Sequence, residues 1–356
     1  MVELQTVWGW QPALYLFLGG MGAGAFIMAA ILQLRGKGSC RKIVAISLWA
    51  AVICLVVGLL CLVLELTNPV RGMMLWQSFS HFTSWMTFGA WIVFAAVVVF
   101  GLAALCATDA TAALIARVWK GFPEKREHAL NVLSVAGMLL GACVAVYTGI
   151  LLMSAPGVPL WNTPLLPALF TVSALDTGIA LVEIVVGTQA RKEHVPRPLH
   201  VFMNASVVCL VLIEAIVLAA LLLSMASGSG AEGSWAATGA CSAELLASST
   251  LAPFFWVLVV VCGLALPLAA AAFGLVRQKR AGDKVEDGDE DASRAGTTLV
   301  AAAVASGSGK VTLVGAVGAL VGGCALRFLI VMAGIHADAV SDAVAQVFAD
   351  MLARLS

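Results

Sequence analysis

YTGILLMSAPGVPLWNTPLLPALFTVSALDTG, residues 147–178, reads as the end of one apolar helix, a tight turn and the first half of the next. The turn holds Pro156, Gly157, Pro159, Trp161, Asn162, Pro164 and Pro167, and no charge. Proline lacks a backbone donor and stops helices, so these residues predict a rigid reversal. Trp161, and Trp76 in an earlier connection, suit a membrane–water interface. Tyr147 and Asp176 flank the turn inside apolar runs. A phenol and a carboxyl so placed must face protein, water or a ligand rather than lipid.

The rest of the chain has the same character. Its 356 residues are 61% hydrophobic and 11% charged, with mean hydropathy +1.01. Soluble domains carry roughly 25% charged residues. The composition predicts an all-α polytopic membrane protein. Apolar runs near 12–34, 43–65, 84–107, 130–154, 164–188, 200–226, 251–276 and 311–335 predict about eight transmembrane helices, each needing about 20 residues. Basic residues follow the odd-numbered spans: Arg35, Lys37, Arg41 and Lys42; Arg117, Lys120, Lys125 and Arg126; Arg191, Lys192 and Arg197; Arg277, Lys279, Arg280, Lys284, Arg294 and Lys310. The other side has Arg71 and, in the tail, Arg354. The positive-inside rule then places both termini outside a cytoplasmic (inner) membrane. The acidic start, with Glu3 and no basic n-region, predicts no signal peptide.

Three units follow. Residues 1–160 and 161–335 read as two four-helix bundles, and 336–356 as a short amphipathic tail with Ala339, Val340, Ala343, Val344, Val347, Met351 and Leu352 at helical spacing. Within the second, 277–309 contains GDKVEDGDEDASRAG and is expected to be a disordered cytoplasmic loop. Residues 227–249 form a polar outer stretch without a chemical reading.

Several chemistries are unexpected here. Zero formal net charge provides no basic face for nucleic acid. The nine cysteines make no CxxC pair, so no zinc, iron–sulfur or other metal site is expected in the chain itself. The five histidines lie near span ends, and of them His81 and His336 share the outer side, which argues against a bis-histidine haem. No Walker loop, dinucleotide fingerprint or metalloprotease motif appears.

The polar groups that remain fall into two sets. Near the outer side, Trp8 and Trp10 are interface anchors, while Gln11 and Tyr15 share one face of the first span and can hydrogen-bond a ligand. Gly19, Gly20, Gly22 and Gly24 admit either a second helix or a flat ligand. Glu65 closes the second span, Arg71 sits in the following turn with Glu65 as a candidate partner, and His81 can trade protons near neutral pH. Deeper lie Asp176, Glu183, Glu214 and Arg327, with Asp176 and Glu183 seven apart on one helix face. Intramembrane charges are costly and usually functional. Either Arg327 and a carboxylate make a structural ion pair, or the carboxyls form a proton route.

The chain resembles the NrfD/PsrC-type membrane subunits of polysulfide-reductase-like complexes. The matching stretches, in order, are WGWQPALYLFLGGMGAGAF (8–26), NPVRGMMLW (68–76), the 147–178 hairpin and GGCALRFLIVMAG (322–334). The resemblance implies eight helices without haem, and a quinone site, menaquinone or another quinone, in the N-terminal half. It implies a ferredoxin-like iron–sulfur subunit on the outer face, docked on loops 66–83 and 155–163, often with a molybdopterin catalytic subunit. Tyr147 resembles the tyrosine that hydrogen-bonds a quinone carbonyl, and Gln11 or His81 is left for the second carbonyl. Trp8, Gln11, Tyr15, Arg71, Trp161 and Asn162 would line the site, and Tyr147, His81, Glu65, Asp176, Glu183 and Glu214 would bind or relay protons. Asp176 departs from the family pattern, which favours a small or neutral residue there. The runner-up is an ion-coupled secondary transporter using Asp176, Glu183, Glu214 and Arg327; a purely structural anchor is a third reading.

Overall fold

The computed structural model describes residues 8–36, 38–65, 85–118, 120–155, 157–189, 193, 195–227, 234–286 and 309–337. In order along the sequence these form α1 (Trp10–Gly36), α2 (Arg41–Glu65), α3 (Trp85–Ala107), α4 (Asp109–Val118), α5 (Phe122–Met153), α6 (Leu165–Gln189), α7 (Arg197–Ala226), α8 (Ser234–Ala247) and α9 (Ala252–Phe254). A π-helical stretch, Phe255–Ala265, then leads into α10 (Leu266–Glu286), and α11 (Gly309–Met332) follows. Among the described residues, eight helices are long and apolar enough to cross a membrane: α1, α2, α3, α5, α6, α7, the α9–α10 run and α11.

α1 is the most enclosed of these spans and packs against α2, α5 and α6, and along part of α11. Its glycines explain how four neighbours fit. A β-carbon on Gly24 would stand 2.1 Å from the Ala174 carbonyl oxygen, and one on Gly178 would stand 2.2 Å from the Gly24 carbonyl carbon. The α1 and α6 backbones therefore touch. Gly22 lies equally close to α2, where an added β-carbon would be 2.9 Å from the Ala51 carbonyl oxygen. At these two positions the glycines serve helix packing rather than a flat ligand. Large apolar side chains on α2, α3, α7 and the π-helical stretch (Ile53, Phe94, Ile216 and Trp256 among them) are exposed, as a lipid-facing surface requires.

The helices also differ from the sequence expectation. α5 starts at Phe122, eight residues before the apolar run, because Pro123 suits a first turn and EKREHA favours helix. The 227–249 stretch contains α8, built on alanine, leucine and glutamate. α10 continues to Glu286, so 277–286 are helical rather than part of a disordered loop. The rest of that loop, and the amphipathic tail from residue 338, lie outside the described residues. π-winding before Pro267 also went unforeseen. That proline has no N–H to give the preceding turn, and π-turns re-register such a ladder.

The two ends of the bundle are tied differently. At the end carrying the basic connections, Asp109 pairs with Arg126 at 2.9 Å and Arg41 at 3.6 Å. Glu193 there accepts the Ile43 N–H at 2.9 Å, closing the start of α2. At the other end the proline-rich turn is closed by Gly157 at φ +86°, a conformation that favours glycine. The Ala337 N–H donates to the Gly157 carbonyl at 2.8 Å. Trp161, expected at an open interface, is buried, and its indole N–H donates to the Ile330 carbonyl at 2.9 Å. Trp161→Phe should strand that carbonyl and cost about 1–3 kcal/mol, read as a lower thermal midpoint in detergent.

Candidate functional site

Two groups of the expected polar residues lie inside the bundle among the described residues. The first centres on Tyr15 of α1 and Tyr147 of α5, both buried. Tyr147 lies over Gly89 of α3, where a β-carbon would stand 1.7 Å from its Cζ and 2.0 Å from its hydroxyl oxygen. Glycine at 89 thus makes the notch that seats the ring. Tyr15 packs beside Gly58 of α2, where a β-carbon would make an ordinary contact, 3.4 Å from Tyr15 Cδ2. The two phenols lie near each other. Neither hydroxyl hydrogen-bonds to another described residue, and two O–H donors with no acceptor among the described residues suit a ligand bearing carbonyl oxygens.

The other expected members are placed unevenly. Gln11 is partly buried one turn before Tyr15. Trp8 packs edge-on against Trp161, with ring centroids 5.8 Å apart, so this pair walls the turn above the tyrosines. Asn162 is exposed and donates weakly, at 3.4 Å, to the Met153 carbonyl, which holds it at the turn. Glu65 ends α2, but its side chain lies outside the described residues, as do Arg71 and His81. The structure therefore brings together Tyr15 and Tyr147, while Asp176 and Glu183 on α6 and Glu214 on α7 form a separate group.

The second group surrounds Asp176. Arg327 of α11 is fully buried and donates to the Ser173 hydroxyl, to the Phe170 carbonyl at 3.2 Å and to the Gly323 carbonyl at 3.1 Å. It also lies over the Phe170 ring, 5.1 Å from the centroid. No ion pair between Arg327 and a carboxylate forms among the described residues, so the structural-pair expectation is not met. Backbone carbonyls and a hydroxyl have taken its donors instead. Its Nε and the Asp176 Oδ1 lack a hydrogen-bond partner among the described residues. Ser173 and the buried Glu214 line the same cavity.

Two small cavities meet at Asp176. One is lined by Ser173, Asp176, Glu214 and the close-packed Gly263 and Gly322. The other is lined by Asp176, Glu183, Asn204 and Thr312 among small apolar residues. Sequence reasoning missed Ser173, Asn204 and Gly89. Asn204, an isolated amide in an apolar run, carries the same signal as Glu214 at lower cost; Gly89 carries none, because the ring it seats belongs to another helix. Among the described residues no group of three or more His, Cys, Asp and Glu is arranged to hold a metal ion.

Comparison with known proteins gives a consistent result. The family described as "Polysulphide reductase, NrfD" matches residues 3–281. The C subunit of the Wolinella succinogenes polysulfide reductase is 30% identical over 286 residues, covering 74% of this protein and 82% of that one. Protein NrfD of Escherichia coli is 27% identical over 205 residues, covering 52% and 61%. An NrfD homolog of Haemophilus influenzae is 27% identical over 284 residues, covering 75% and 84%.

Proposed function

The protein belongs to the polysulphide reductase NrfD family, and from that premise we propose that it is the quinone-reactive membrane subunit of an oxidoreductase complex. It exchanges electrons between a membrane quinone, menaquinone or a relative, and an iron–sulfur partner, with a molybdopterin subunit completing the complex. The observation that carries the reading is the pair Tyr15 and Tyr147, two buried tyrosines, the second seated on Gly89, whose hydroxyls bond to no other described residue. A bound quinone supplies two-electron chemistry coupled to two protons.

The protein's residues then have separate duties. Tyr147 donates to one carbonyl oxygen, and Tyr15, Gln11 or His81 holds the other. Trp8 and Trp161 close the site toward the turn, and Arg71 and Asn162 line its mouth. Phenols at this depth hold and orient, while Glu65, Asp176, Glu183 and Glu214 carry protons toward or away from the site. The 66–83 and 155–163 loops, on the side away from the basic connections, dock the iron–sulfur subunit. The rigid closure of the second loop by Gly157, Trp161 and Ala337 supports that assignment.

Tyr147→Phe is expected to lower quinol-linked turnover about tenfold or more, the effect of one lost hydrogen bond sharpened in a dry site, with complex assembly unchanged. Unchanged turnover would remove Tyr147 from the site. Purification in mild detergent with mass spectrometry of co-purifying proteins and lipid-soluble quinones tests the whole reading. An iron–sulfur protein together with quinone is the expected result. A folded protein that emerges alone and quinone-free would favour the transporter.

A further inference from the structure

The cavity between α6, α7, α10 and α11 has an unusual lining. Its polar members are Asp176, Glu183, Asn204 and Thr312, all oxygen-bearing, and no basic side chain is among the described residues that line it. Its free volume, about 10 Å³, is room for one water-sized occupant. Asp176 is 2% exposed, and its Oδ1 has no hydrogen-bond partner among the described residues. Glu183 is half-buried on the same face of α6, and Thr312 lies two residues after Lys310, so the cavity lies toward the end with the basic connections.

We propose that this cavity binds a small alkali cation of the Na⁺ class, held by Asp176 and Glu183 with the carboxamide oxygen of Asn204 and the hydroxyl of Thr312. Hard oxygen donors suit hard cations, and a site with two carboxylates suits a single charge better than a divalent ion when a proton is shared nearby. Buried carboxylates without a compensating cation are costly. Arg327 makes no ion pair or hydrogen bond with either among the described residues: its donors go to Ser173, Phe170 and Gly323. A proton would need only the carboxyls, whereas the amide and hydroxyl add neutral oxygens that complete a cation's shell. The charges balance with the cation, Arg327, and one proton shared among Asp176, Glu183 and Glu214. The Arg327 guanidinium, beyond Asp176 and Glu214, repels a cation from going further, so the cavity is a binding site rather than a pore.

The test is equilibrium binding of radiolabelled Na⁺ to the purified full-length protein in detergent, with choline keeping ionic strength constant. Saturable binding is expected, weakened about tenfold or more in Asp176→Asn and in Glu183→Gln, the effect of losing one charged ligand. Tyr147→Phe should bind Na⁺ as the unaltered protein does, which separates this site from the quinone reading. Thr312→Val should also weaken binding and reports on the site even where Asp176→Asn fails to fold. A well-folded protein without saturable Na⁺ binding would overturn the proposal and leave the cavity to water and protons. Unaltered affinity in both Glu183→Gln and Thr312→Val would overturn it equally.

Discussion

Gly178→Val is expected to leave little folded protein. A β-carbon at 178 would lie 2.2 Å from the Gly24 carbonyl carbon and 2.3 Å from the Ala25 nitrogen. Both are backbone atoms of α1, so no side chain can move aside. The helices must part along their whole crossing, which also holds Gly20, Ala174 and the Arg327 guanidinium. Overpacking a core usually costs 1–3 kcal/mol, but a backbone–backbone collision belongs with the exceptional cases, about 4 kcal/mol or more, a large share of a stability of roughly 5–15 kcal/mol. The measurement is the yield of monodisperse protein and its thermal midpoint in detergent. The control lies on the same helix: nothing stands within 4 Å of a β-carbon at Gly187, so Gly187→Ala should be neutral or stabilising by up to about 1 kcal/mol. Normal yield from Gly178→Val would mean that α1 and α6 do not cross as described.

That contrast shows what the sequence could and could not reveal. The eight spans were legible because each needs a long apolar run, and each run is present. Helix that continues into water carries no such signal, so the starts of α5 and α8 and the end of α10 were missed. Asp176, Glu214 and Arg327 were legible because ionisable groups in an apolar run demand a reason. Their pairing was not, since the Arg327 donors go to backbone carbonyls whose positions depend on how α6 and α11 cross. Tyr147 was legible as a phenol inside an apolar run, and its expected role came from the family likeness, while nothing in the apolar run around Gly89 tells which helix would use its missing side chain.

Gly89→Ala is expected to lower quinone-linked turnover about 10²-fold while the protein still folds. The added β-carbon would stand 1.7 Å from Tyr147 Cζ and 2.0 Å from its hydroxyl oxygen. The atoms met are the far end of one side chain, which can rotate away, unlike the backbone met at Gly178. Alanine is also the better helix former by about 1 kcal/mol, so stability should change little. The phenol, however, can no longer hold its place, and a displacement of about 1 Å in a positioned group costs about 10²-fold in rate. Gly89→Ala should therefore be more severe than Tyr147→Phe, which keeps the ring and loses only the hydroxyl. On a Tyr147→Ala background, where the ring is already gone, Gly89→Ala should add almost nothing, the signature of two changes acting through one contact. Quinol oxidation by the membrane-embedded complex gives the readout, with partner retention as the assembly control. Wild-type turnover in Gly89→Ala would mean that the Tyr147 ring does not rest on α3, and the tyrosine pair would lose its claim to the quinone.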